Sequence, residues 1–139
     1  MADQYSDQPL VEDRNPSTGQ PHSLEAEEAV IGAVLINPDV YYDLAQFLIP
    51  DDFYIHRLRF IWEACIVLHE QNIPVDLLTV SKTLANRNRL DEVGGDAYLV
   101  DLLNRVPTTL HAEAYGRIIE ATSIRRKLLT AANGIATLA

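Results

Sequence analysis

The stretch Leu58–Gln71, LRFIWEACIVLHEQ, restricts the fold more than any other part of the chain. Leu58, Ile61, Trp62, Cys65 and Leu68 recur at helical spacing and make one apolar stripe. Phe60, Ala64 and Val67 make a second stripe on another face. A helix apolar on two faces is usually buried on both, inside a bundle or against a partner subunit. The only tryptophan lies here, and burial of a large aromatic contributes strongly to a core. Pro50-Asp51-Asp52 supplies a start signal and Asn72 with Pro74 a stop. The rest of the chain is therefore expected to pack around this helix.

The flanking sequence punctuates cleanly into further helices. Residues 1–21 are polar, contain NPSTGQP and show no apolar period, so they read as a disordered tail. Ser23 is a good N-cap for a helix from Leu24 to about Ile36, with Glu25, Glu27 and Glu28 near its positive end. Its inward stripe is Ala26, Val30, Ala33 and Val34. Asn37-Pro38 starts a second helix, with Tyr41, Leu44, Ala45 and Leu48 inward and Pro50 as its stop. Asp76 caps a helix carrying Leu77, Val80 and Leu84. After a polar break at Arg87–Arg89 and a Gly94-Gly95 turn comes a helix with Leu99, Leu102, Leu103 and Val106 on one face and Tyr98 beside it. Pro107 ends it, and Thr109 can cap a last helix that has no stop signal.

That last helix begins with Tyr115, Ile118 and Ile119 inward, then changes to Ala121, Ile124, Leu128, Ala131, Ile135 and Leu138. The alternating spacing of three and four is that of a coiled-coil seam, which needs a second helix. The expectation is a fragment cut inside a helical hairpin or an oligomer contact; the other reading is a terminal helix folded back on its own core. No segment alternates long enough to be a strand. The expected class is all-α: a compact helical bundle head over 22–108, then the first long helix of a helical hairpin over 109–139.

Composition limits the function. With 139 residues and 47% hydrophobic content, one packed domain is feasible without metals or disulfides. No apolar run approaches the ~20 residues needed to span a bilayer, and the N-terminus lacks signal-peptide regions. A single cysteine points to a reducing, cytoplasmic setting. The net charge of −9 makes sequence-independent phosphate binding a poor fit, so any nucleic-acid contact is expected elsewhere in a longer protein.

Signatures of chemistry are missing. There is no GxxxxGK[ST], HExxH or paired CxxC. Cys65 and His69 have metal-ligand spacing, but two ligands are not a site and Cys65 lies on the inward stripe. Asp51-Asp52 could form an acid/base pair, with helix capping as the plainer reading. A small all-α enzyme using these groups is the rival class. Arg125-Arg126-Lys127 reads as a solvated face, or as a contact to an acidic partner.

Five segments then carry a resemblance: PHSLEAEEAVIGAVLINP, DDFY, PVDLLTV, GGDAYLVDLLNRVPT and AYGRIIEATSIRRKLL. In this order they resemble the N-terminal domain of DnaB-type bacterial replicative DNA helicases, from about Pro21 to Ala139. The sequence departs from the family at Leu58, where a histidine is usual, and at His111, where an asparagine is usual. The resemblance implies a ring-shaped hexamer whose ATP, Mg and main DNA sites lie in a separate C-terminal motor, with no cofactor in this segment. It implies dimer pairs within a collar, docking of the C-terminal domain of a DnaG-type primase, and no membrane. Ile124, Leu128, Ile135 and Leu138 are the candidate subunit or hairpin contacts. Tyr98 and Glu25 are candidates for the primase surface, with partial burial and helix-dipole stabilisation as their plainer readings. A free-standing adaptor or a primase-type helicase-binding domain is the alternative.

Overall fold

The structure, a computed structural model, describes residues 23–106 and 108–138. The tail expected over 1–21, His22 and Pro107 lie outside the described residues. Seven helices follow in order: α1 (Leu24–Ile36), α2 (Val40–Ala45), α3 (His56–Glu70), α4 (Leu77–Asn86), α5 (Leu90–Val93), α6 (Gly95–Arg105) and α7 (Ala112–Leu138). A 3-10 turn, Pro50–Asp52, precedes α3, and the described residues include no strand.

Local chemistry accounts for the boundaries. The Ser23 hydroxyl accepts from Ala26 N at 3.2 Å and starts α1. At α4, Asp76 and Thr79 cap reciprocally: Thr79 N donates to Asp76 Oδ1 at 2.8 Å and Asp76 N to Thr79 Oγ1 at 2.9 Å. Gly94 and Gly95 take φ of 105° and 72°, a left-handed turn that lets α6 follow α5 at once.

The centre of the molecule is α1, not the tryptophan helix that periodicity singles out. From Ala26 to Leu35 every residue of α1 is buried, with α6 and α7 packed on it and α2 and α3 beside it. Its small residues explain the exchange of roles. A Cβ on Gly32 would stand 2.1 Å from Val106 Cγ2 and 2.6 Å from the Leu102 carbonyl oxygen, so α6 approaches to backbone contact. The tryptophan helix α3 buries one broad face, Leu58, Ile61, Trp62, Ala64, Cys65 and Leu68, while Phe60 and Val67 are only half-buried. Trp62 stacks between Tyr41 and Phe53, with ring centroids at 5.2 and 5.4 Å.

The N-terminus of α3 also differs from expectation. Pro50-Asp51-Asp52 forms its own 3-10 turn, closed by Ile49 N donating to Asp52 Oδ2 at 2.9 Å. No side chain caps the first turn of α3; instead α1 holds the segment that leads into it, the buried Glu27 carboxylate accepting from Tyr54 N at 2.9 Å and Ile55 N at 3.0 Å. Glu27 and Glu28 are thus structural acceptors rather than solvent-facing dipole partners.

Helix α7 has two regimes. Ala112, Gly116, Ile119, Thr122 and Ser123 are buried, so its first half completes the head beyond the expected boundary at 108. Gly116 sits against Leu44 and Phe47, and Arg117 covers the Phe47 ring at 3.7 Å. Ile119 is buried as expected and Tyr115 half-buried, but Ile118, expected inward, is exposed, and Gly116 is buried beside Ile119. From Ile124 onward every described residue except the half-buried Arg126 is exposed.

Candidate interaction site

The exposed half of α7 is the first candidate surface. Ile124, Leu128, Ile135 and Leu138 are 51%, 65%, 69% and 89% exposed, joined by Leu129 at 43%. Large aliphatic side chains in that density on one helix are unusual for a solvent-facing surface. Each lies three or four residues from the next stripe position, counting Ala131, which is the spacing of a helix-pairing seam.

The second surface is a cleft of about 460 Å³ between the start of α1, the end of α6 and the first half of α7. Ser23, Glu25, Ala26, Glu28, Ala29, Arg105, Tyr115 and Ile118 line it. Glu25 stands exposed at its rim. Its floor is Glu28, buried, which accepts from Arg105 Nη1 at 2.9 Å and from the Tyr98 hydroxyl at 2.9 Å. Arg57 lies over the Tyr98 ring at 4.3 Å. Burial pushes the Tyr98 hydroxyl up to about 12, its hydrogen bond to Glu28 adds to the rise, and Arg57 opposes it. The hydrogen bond to Glu28, with Asp101 assisting, holds Arg105 more firmly protonated than a free guanidinium. Tyr98 and Glu25 therefore reach the same region, one at the rim and one through Glu28. Glu28 and Arg105 do not stand out in the sequence as site residues, because their partners are 70 and 77 positions away.

The arrangement offers contacts rather than a reactive group. Among the described residues no cluster of three or more His, Cys, Asp or Glu is placed to hold a metal ion. Cys65 faces the core, where burial raises its thiol to about 12, while His69 turns outward between Tyr41 and Tyr42 with centroids at 5.2 Å from each. The metal-ligand spacing of these two residues therefore does not bring them to one site. Asp52 is buried and bound to Ser123 Oγ at 2.8 Å, whereas Asp51 is exposed. Arg126 donates to the Asp52 carbonyl at 2.7 Å and Lys127 lies 3.7 Å from its carboxylate, so Arg126 turns back onto the head while Arg125 and Lys127 stay exposed. No described helix is long and apolar enough to cross a membrane.

A profile of the DnaB-like helicase N terminal domain matches residues 19–121. The chain belongs to the DnaB-like helicase N-terminal domain family. It is 44% identical over 127 residues to the replicative DNA helicase DnaC of Bacillus subtilis, covering 91% of this chain and 27% of that one. It is 41% identical over 116 residues to the replicative DNA helicase DnaB of Geobacillus stearothermophilus, covering 84% and 26%. The chain thus spans about a quarter of the length of these relatives. The fold agrees with the crystal structure of the N-terminal domain of DnaB helicase from Mycobacterium tuberculosis, with a TM-score of 0.82, 32% identity and 84% of each chain covered. It agrees also with the N-terminal domain of DnaB helicase from Helicobacter pylori, described with its interactions with primase, at a TM-score of 0.71, 25% identity and coverage of 82% and 89%. The all-α class and the DnaB resemblance read from the five segments are therefore correct.

Proposed function

We propose that this DnaB-type domain is the non-catalytic collar of a hexameric, ATP-dependent replicative DNA helicase acting in the cytoplasm. The collar pairs subunits and docks primase at the replication fork. ATP, Mg and the main DNA contacts belong to a motor domain outside this segment. The observation that carries the pairing role is the exposed apolar half of α7. Burying two such aliphatic side chains per subunit contributes several kcal/mol, at about 25 cal/mol per Å² of apolar area.

Primase docking is supported by the cleft at Glu25 and Glu28, with Tyr98 bonded to Glu28, and by the primase interactions described for the Helicobacter pylori domain. The segment boundaries that fit this role are a head over 22–108 and the start of a helical hairpin over 109–139, with the head's core extended by the first half of α7.

Sedimentation equilibrium tests the pairing role. The double variant Leu128→Asp/Ile135→Asp removes self-association and keeps helical content, because neither side chain belongs to the head's core. An unchanged mass rejects the assignment. Titration of a primase helicase-binding domain tests the cleft: wild-type affinity for both Tyr98→Ala and Glu25→Ala removes it from the docking surface. ATP hydrolysis by the isolated segment, or tight binding of single-stranded DNA at moderate salt, counts against this reading.

A further inference from the structure

The stripe on α7 can meet a partner only if the helix leaves the head in a defined direction. The buried half of α7 packs along α1, and two further contacts help to fix that direction. The first is Gly116, where a Cβ would lie 2.6 Å from Leu44 Cδ2 and 3.1 Å from Phe47 Cζ. The second is Asp52, at the end of the 3-10 turn. Its buried carboxylate accepts from Ile49 N at 2.9 Å and from Ser123 Oγ at 2.8 Å, with Lys127 Nζ at 3.7 Å. Its main-chain carbonyl accepts from Arg126 Nη2 at 2.7 Å, and the Arg126 guanidinium lies over the Tyr54 ring at 5.3 Å.

Gly116 and Ser123 are two turns apart on one face, so the contacts sit about 10 Å apart along the axis. Ser123 is the last buried residue of α7. Beyond it the helix runs to Leu138 as a lever of roughly 22 Å. A tilt of about 10° at the anchor moves the tip by roughly 4 Å, the whole range of an apolar contact. Packing on α1 and the Gly116 contact seat the buried half of α7; the Asp52 contact holds the helix at the point where it leaves the head.

We infer that Asp52 is a positioning residue for self-association: through Ser123, Arg126 and Lys127 it aims the exposed half of α7 so that its stripe meets a second copy of this chain. The inference rests on reading that stripe as the subunit interface. A pre-aimed helix associates without first being ordered, so loss of the anchor weakens association even though no interface side chain has changed.

Pulsed electron paramagnetic resonance on the full chain, diluted into unlabelled protein, tests it. Spin labels at Gln71→Cys and Thr137→Cys report the distance from head to tip, and the buried Cys65 is left in place. Ser123→Ala removes the bond to Asp52 with little change in volume. Arg126→Ala is the second variant and leaves every buried side chain of α7 intact. The expected result in both is a broadened tip distance, a dissociation constant raised about tenfold, and an unchanged near-ultraviolet signal from Trp62. An unchanged distance overturns the inference, as does a broadened distance with unaltered association. The stripe variant Leu128→Asp/Ile135→Asp separates the two readings. If it dissociates while the anchor variants do not, only the positioning role falls. If it too stays associated, or wild type is monomeric, the interface reading falls and takes the positioning role with it.

Discussion

At the scale of single residues, two positions on α1 carry more of the fold than their chemistry suggests. Glu27 is a carboxylate inside the core, held there because two main-chain N–H groups leading into α3 have it as acceptor. Glu27→Ala leaves those donors buried without it, so a loss of about 3 kcal/mol is expected, while Glu27→Gln keeps one acceptor and loses less. Thermal denaturation checks this, with a fall in midpoint of roughly 10 °C or more for the alanine variant. Gly32 and Gly116 both mark close helix approaches, but they differ in what yields. At Gly32 an added Cβ meets the Leu102 carbonyl at 2.6 Å, and backbone cannot step aside. Gly32→Ala is expected to destabilise by about 2–3 kcal/mol. At Gly116 the obstacles are the ends of the Leu44 and Phe47 side chains, and alanine recovers up to ~1 kcal/mol of helix propensity. Gly116→Ala should therefore stay within about 1 kcal/mol of wild type in urea denaturation.

At the scale of elements, α1 and α7 are the informative pair. A helix buried on all sides opens only when the whole head opens, so the amides of α1 should be the slowest to exchange. Helix α7 should split into two rates at its Asp52 anchor. Amides over 116–123 exchange with the head, while those over 128–138, which have no tertiary cover in the single chain, exchange through local fraying. Gly134 inside the exposed half lowers its helix stability further. Hydrogen–deuterium exchange read by mass spectrometry checks this. Protection of 128–138 that rises with protein concentration marks a stripe covered by another copy; protection at all concentrations contradicts the two-part helix. The seam spacing was visible in sequence because it is local and periodic. The anchor was not, since Asp52 and Ser123 are 71 positions apart.

At the scale of the whole molecule, three acidic protons are held abnormally tightly by the fold. Burial raises the Cys65 thiol from 9.0 and the Tyr41 and Tyr98 hydroxyls from 10.0, each to about 12. The unfolded chain releases these protons at lower pH than the folded one. Stability from this source is therefore complete below about pH 9 and declines as pH rises from about 9 towards about 12. Urea midpoints should stay level up to about pH 9 and fall beyond it, and Cys65→Ala should remove the earliest part of that fall. The same burial leaves the thiol unreactive to disulfide reagents at about pH 8 until the protein unfolds. The sequence by itself determined the all-α class, the positions of the longer helices, the caps at Ser23 and Asp76, and the stripe from Ile124 to Leu138. All of these follow from periodicity and capping chemistry within a few residues. Only the tertiary structure decided that α1 and not the tryptophan helix is central, that Glu27 and Glu28 are buried acceptors, and that α7 joins the head before it projects. Those outcomes depend on partners 27 to 77 positions away and on how closely small residues let helices approach, and no local pattern encodes either.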